Sequence, residues 1–201
     1  MPNILPDYRT HDAETQRLLN LSGTLSGLSP MHQKLVAEIV LLRLFSLFEN
    51  LIVSVMLKLA CGATYVDGSD PTLLVRAQSS RNALTLFQTF GRKKQRQQLQ
   101  WSTATEIKKN IKYVIDPSDN AVTIVDRNSM FIDNLRRVRN RIAHNNDKSR
   151  QKYRNVVKQH YGAFVNNVTP GILLLTPRIR PPLLEQYIRQ ERILVKDIVK
   201  A

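Results

Sequence analysis

Apolar positions along this chain recur at spacings of three and four far more often than at two, which predicts helices rather than strands. The longest such run, LVAEIVLLRLFSLFENLIVSVMLKLAC, follows Ser29-Pro30. That pair reads as an N-cap followed by a proline in the first turn. The run ends near Gly62, and its apolar residues cover most of the circumference, so it is expected to be the central helix. Before it, residues 1–28 are polar and mixed, with a short helix around Ala13–Leu21 and a Ser/Gly stretch from Ser22 to Ser29. Asp70-Pro71 repeats the start signal and predicts a second helix to about Phe90, stopped by Gly91. Thr103 with Glu106 fits a capping box, which predicts a third helix over 104–115, before Asp116-Pro117. The segment AVTIVD (121–126) reads as a short strand or an extended connection. Ser129 is placed to cap a fourth helix, MFIDNLRRVRNRIAHNN. A fifth is expected from Lys148 to about Phe164. A proline-containing connection (VTPGILLLTPRIRPP) then leads to an amphipathic helix over Leu183–Val199. These elements add up to an all-α bundle of about five to six helices. Residues 29–201 are expected to form one domain behind the N-terminal segment.

Composition narrows the class. The chain has 201 residues, 42% of them hydrophobic and 23% charged, enough for a packed core. The single cysteine, Cys61, excludes an internal disulfide and a multi-cysteine zinc site, and fits a buried core thiol in a reducing compartment such as the cytoplasm. MPNILPDYRT has no basic region followed by an apolar stretch, so no secretory leader is expected. Glu38, Arg43, Glu49 and Lys58 interrupt the apolar run, and no membrane span is expected. The net charge of +14 is uneven: residues 1–70 hold five basic and seven acidic side chains, residues 71–201 hold 25 and nine. A polyanion, most simply nucleic acid, is the expected partner, met by the later two-thirds of the chain.

The segment Leu135–Asn146, LRRVRNRIAHNN, carries the candidate chemistry. On an ideal helix Ile132, Leu135, Val138 and Ile142 form one apolar stripe, with Arg139 on its edge. Asn140 and His144 sit one turn apart on another face. Arg139 and His144 are about 140° apart on a regular helix, so they cannot address one small ligand from one straight helix. Either the helix distorts near Ala143 or a second copy of the chain completes the site. The residue types suit metal-independent cleavage of RNA. A guanidinium matches phosphate oxygens, an imidazole moves a proton near neutral pH, and an amide can orient the imidazole. The 2′-OH would be the nucleophile, giving a 2′,3′-cyclic phosphate and a 5′-OH end, and DNA would not be cut. Arg139, Asn140 and His144 are therefore the catalytic candidates, with no cofactor and no metal. Arg92, Lys93, Lys94, Arg136, Arg137, Arg141, Lys148, Arg150 and Lys152 are expected to contact phosphates, as are the basic runs Lys108–Lys112 and Arg150–Lys158. Tyr153 and Trp101 are placed to stack on bases, and Tyr153 to line the same cleft as His144.

Arg139-Asn140-Arg141-Ile142-Ala143-His144 resembles the Arg-x4–6-His motif of the HEPN superfamily, in the form with a polar residue directly after the Arg. The helix LRLFSLFENLIVSVML resembles the HEPN helix that carries an acidic residue, and Glu49 is the matching position. The likeness runs from Leu35 to about Phe164 and is nearest to the RiboL-PSP-HEPN-like subgroup. It implies an α-helical, often dimeric domain, here pairing through the motif-bearing helix. It also implies a metal-independent endoribonuclease of a toxin–antitoxin or antiviral defence system, with a possible antitoxin or defence partner protein. The alternative it allows is a non-catalytic nucleic-acid-binding or scaffold subunit of such a system. Some HEPN toxins carry a Tyr two residues after the His, the target of an antitoxin nucleotidyltransferase. Asn146 stands there instead, which argues against that control.

Structural roles compete with these. His144 can be a C-cap histidine, and Arg139 can pair with Glu49 or Asp133. Glu49, in an apolar helix, needs a cation. His160 and His32 read as surface histidines, and His11 as part of a mobile N-terminal segment. A helix-turn-helix reading around NNDKS lacks the small-residue turn it needs.

Overall fold

The structure is a computed structural model and describes residues 3–144 and 146–200. Among these residues there are nine α-helices and no strand. They are α1 (Leu5–Gly23), α2 (Pro30–Ala60), α3 (Ser80–Thr89), α4 (Ala104–Ile111), α5 (Asn120–Arg127), α6 (Ser129–Ala143), α7 (Asp147–Tyr161), α8 (Pro170–Leu175) and α9 (Leu183–Val199). The all-α class expected from periodicity holds, with more and shorter helices than the pattern suggested. The chain divides into two compact units. One holds the chain through Asp12, Phe48–Ile132 and the chain from Ile193. The other holds Ala13–Leu47 and Asp133–Arg192.

In the first unit, the later half of α2 supplies fully buried Phe48, Ile52, Val55, Met56 and Leu59. Trp101 is buried edge-on to Phe87 at 5.9 Å, so it packs in the core and is not free to stack on bases. Cys61 is buried as expected. By length and composition α2 is apolar enough to cross a membrane, and half of its most apolar window is buried in the fold.

Two expectations fail in this unit. Residues 71–79 are not helical. The Leu74 N–H donates to the Val114 carbonyl (2.9 Å) and the Asp116 N–H to the Thr72 carbonyl (2.9 Å), which holds this stretch extended. The helix instead starts after Ser79, whose hydroxyl accepts from the Asn82 N–H. Residues 121–126 are neither strand nor connection but most of α5. Asp119 caps it by accepting from the Ala121 N–H (3.0 Å), while also accepting from the Tyr65 hydroxyl and the Thr72 N–H. Ala121, Val122, Ile124 and Val125 are all buried, a helical set that a six-residue window cannot tell from a strand. The third helix is capped by Thr103 as predicted but ends at Ile111, not 115.

The second unit packs Leu41, Leu44 and Phe45 of α2, Leu135 and Val138 of α6, and Val156 and Val157 of α7 as buried side chains. The connection VTPGILLLTPRIRPP contains α8, capped by Thr169. Gly171 lets α8 sit on α2: a Cβ there would lie 2.7 Å from the Cβ of Lys34, and its N–H donates to Glu38 Oε1 (2.8 Å). The N-terminal segment is a helix from Leu5, longer than expected, and His11 is buried in it rather than mobile.

Candidate active site

Three of the four residues of the α6 stripe, Ile132, Leu135 and Val138, are fully buried, and Ile142 is half-buried. Burying that stripe turns Asn140 and His144 away from the core. The helix keeps its regular form, since the His144 N–H donates to the Asn140 carbonyl at 2.9 Å. No distortion near Ala143 brings Arg139 round to His144. Asn145 lies outside the described residues. Asn146 then caps α7 by accepting from the Ser149 N–H (2.8 Å). The Ser149 hydroxyl donates to the carbonyls of His144 (2.5 Å) and Asn146 (2.8 Å). These bonds fix the corner at which His144 stands exposed. Asn146, two residues after His144, is thus a helix cap.

Between α6 and α7 lies an open cavity of about 470 Å³. From α6 it is lined by Asp133, Arg136, Arg137, Asn140 and His144. From the α7 side come Asn146, Lys148, Ser149, Lys152 and Asn155. Six of these, Arg136, Arg137, Asn140, His144, Lys148 and Lys152, are residues the sequence singles out. Arg137 is steadied by donating to Asn134 Oδ1 (3.2 Å), and Asn134 Nδ2 in turn donates to Gln159 Oε1 (2.7 Å). Asp133 is the member that charge counting passed over. Its Oδ1 is buried without a hydrogen-bond partner. A polar stripe at helical spacing, Asp133, Arg137, Asn140 and His144, was its available signal.

The other candidates are placed elsewhere. Arg139 does not line this cavity. Its guanidinium lies 5.7 Å over the Phe45 ring and donates to Asn140 Oδ1 at 3.1 Å. It thereby holds the Asn140 amide. Glu49 is half-buried on the part of α2 that belongs to the first unit. Arg141, Arg150 and Tyr153 line a second cavity, on the opposite face of α7. Tyr153 is 3% exposed, so it neither shares the His144 cleft nor presents a ring for stacking. Its position, one residue off the Lys148–Lys152 face, turns it inward.

Arg92, Lys93 and Lys94 belong to the first unit. Arg92 donates to the carbonyls of Phe87 (2.8 Å), Lys109 (2.5 Å) and Asn110 (3.0 Å), while Lys93 and Lys94 are exposed. In the Lys108–Lys112 run, Lys108 is bonded to Asp126, Lys109 reaches Glu106 at 3.4 Å, and Lys112 lies 4.3 Å over the Tyr113 ring. Among the described residues no three His, Cys, Asp or Glu side chains gather as a metal site. Of the other histidines, His160 is half-buried with Nε2 3.5 Å from the Tyr187 hydroxyl, and burial pushes it below its ordinary value. No family model, curated protein or solved structure matches this chain.

Proposed function

We propose that this protein is a metal-independent endoribonuclease of HEPN type, acting as a homodimer in the cytoplasm on an RNA strand laid in the α6–α7 groove. One observation carries the reading: an exposed imidazole and an amide one helical turn apart open into a cavity ringed by Arg136, Arg137, Lys148 and Lys152. The cations hold the phosphates that flank the scissile bond. The 2′-OH attacks the adjacent phosphorus, the P–O5′ bond breaks, and a 2′,3′-cyclic phosphate and a 5′-OH remain. His144 moves a proton at one of those oxygens, and Asn140 orients it. Arg139 stands off this groove, so a guanidinium reaches the pentavalent phosphorus from the second copy of the chain. Separately from the motif-bearing helix, Met31, Leu35 and Ile39 lie at i, i+4 and i+8 on α2 and are 79%, 52% and 55% exposed, an apolar stripe open to self-association. A defence or toxin role follows from the resemblance to HEPN proteins.

The test is RNA cleavage in EDTA by the full chain and by His144→Ala. Because His144 is exposed, the variant keeps its melting temperature, and cleavage falls by about 10²–10⁴-fold. A 2′-deoxy substitution at the cut position stops the reaction in the wild type. Equal cleavage by both proteins removes the reading. The engagement of Arg139 with Phe45 and Asn140 favours a second reading, a non-catalytic RNA-binding subunit. Salt-sensitive RNA binding with no cut in either protein would establish it.

A further inference from the structure

Gly162 ends α7 in a left-handed conformation (φ 75°), and the chain turns there. The turn brings Phe164 back against the helix it has just left. The centre of its ring lies 4.8 Å from Lys158 Nζ and 6.0 Å from the Arg154 guanidinium. The ring is 57% exposed, so it adds little to the core. A lone exposed apolar residue calls for no explanation, but this one has company. Tyr161, the last residue of α7, repeats the arrangement: its half-buried ring has the Arg178 guanidinium 5.4 Å above it.

Arg150, Arg154, Lys158 and Tyr161 fall within an arc of about 80° on α7, and the three cations are exposed. Lys148 and Lys152, which line the His144 groove, lie on a different face. Arg150 is offset by Asp147 at 3.5 Å. Arg154 donates to the neutral Asn166 side chain at 3.4 Å, which leaves its charge uncompensated. Among the described residues no carboxylate pairs with Arg154, Lys158 or Arg178. Accessible rings set among uncompensated cations complement a single strand, whose unpaired bases offer faces to stack on and whose phosphates offer charge. A duplex keeps its base faces hidden and could use only the cations. A membrane-binding helix needs an apolar side along its length, whereas here the rings stand at one end and the rest of the face is basic.

We propose that this face of α7 binds single-stranded nucleic acid, with an unpaired base stacked on Phe164 and the flanking phosphates held by Arg154, Lys158 and Arg178. The proposal rests neither on cleavage at His144 nor on a strand in the α6–α7 groove. Fluorescence anisotropy of the full chain tests it, using a labelled 2′-O-methyl oligouridylate that a 2′-OH-dependent reaction leaves intact. The same strand annealed to its complement gives the duplex. Phe164→Ala is expected to weaken the single strand by about tenfold and the duplex by less than about twofold. Phe164→Trp keeps a ring and stays within about twofold of the wild type. Arg154→Gln combined with Lys158→Gln weakens both ligands and lowers the salt slope for the single strand by roughly 1.4. Because Phe164 is exposed, Phe164→Ala keeps its melting temperature, so lost affinity is not lost fold. The effect of Phe164→Ala persists when Arg136 and Arg137 are replaced by alanine, which separates this face from the groove. The proposal is overturned if Phe164→Ala holds the single strand as the wild type does, or weakens strand and duplex alike. Binding of the wild type to phosphatidylserine vesicles but to neither oligonucleotide overturns it equally.

Discussion

The basic run at 92–96 and the basic residues of α6 and α7 look alike in the sequence but meet different fates. In the first unit, Arg92 donates to three main-chain carbonyls and Arg96 to Asn110 Oδ1 and Glu106. Arg96 above all holds the Glu106 carboxyl below the usual carboxylate range. These cations close a loop by satisfying carbonyls and a carboxylate that the helix ends leave over. In the second unit, Arg136, Arg137, Lys148 and Lys152 line an open groove, where the two lysines are exposed and the two arginines half-buried. A run of positive charge therefore does not say whether it serves the fold or a ligand. What decides is whether unpaired acceptors of the same chain stand within reach.

Several substitutions test that contrast. The largest effect is expected from Arg136→Ala combined with Arg137→Ala, which removes two groove cations. RNA affinity at moderate salt falls by about tenfold or more, and the slope of log affinity against log salt drops by roughly two. Filter binding across a salt series checks this, and an unchanged slope would place the RNA elsewhere. Next is Arg92→Ala, which strands the part-buried carbonyls of Phe87 and Asn110 and costs about 2 kcal/mol. Thermal melting should show a fall of about 4–8 °C for a chain of this size, with RNA affinity preserved. The exposed neighbour Lys93→Ala should move the melting temperature by about 1 °C or less. If Arg92→Ala instead lowers RNA affinity at an unchanged melting temperature, the two regions are not different in kind.

The smallest effect concerns His160, beside both cavities in sequence but within neither. Burial sets its folded value below the ordinary 6.5. The unfolded chain then takes up a proton that the folded chain resists. The contribution to stability is complete above about pH 6.5 and is lost as the pH falls through the folded value. Melting temperatures measured from pH 7.5 to 5.5 should decline less steeply in His160→Gln than in the wild type.

Much of the site was legible because it lies on one helix. The buried stripe of α6 dictates which way Asn140 and His144 face, and the same rotation foretells that Arg139 stands apart from His144. Asp133 obeys that periodicity too, but the sequence weighs it only as an ion-pair partner for Arg139, and its place in the groove emerges from the structure. Tyr153 was misplaced for another reason: distance along the chain from His144 says nothing about which face of α7 carries it. The extended stretch at 71–79 was misread because Asp70-Pro71 imitates a helix start, while the hydrogen bonds that hold it extended come from residues 114–116.

Helical periodicity, the cap at Thr103 and the facing of α6 follow from the sequence, because each rests on residues within a turn or two of one another. The helical state of 121–126, the burial of Trp101 and Tyr153, and the division of arginines between loop closure and open cavity were decided only by the tertiary structure. Each depends on acceptors and apolar surfaces brought up from distant segments, and chain-local pattern carries no record of them.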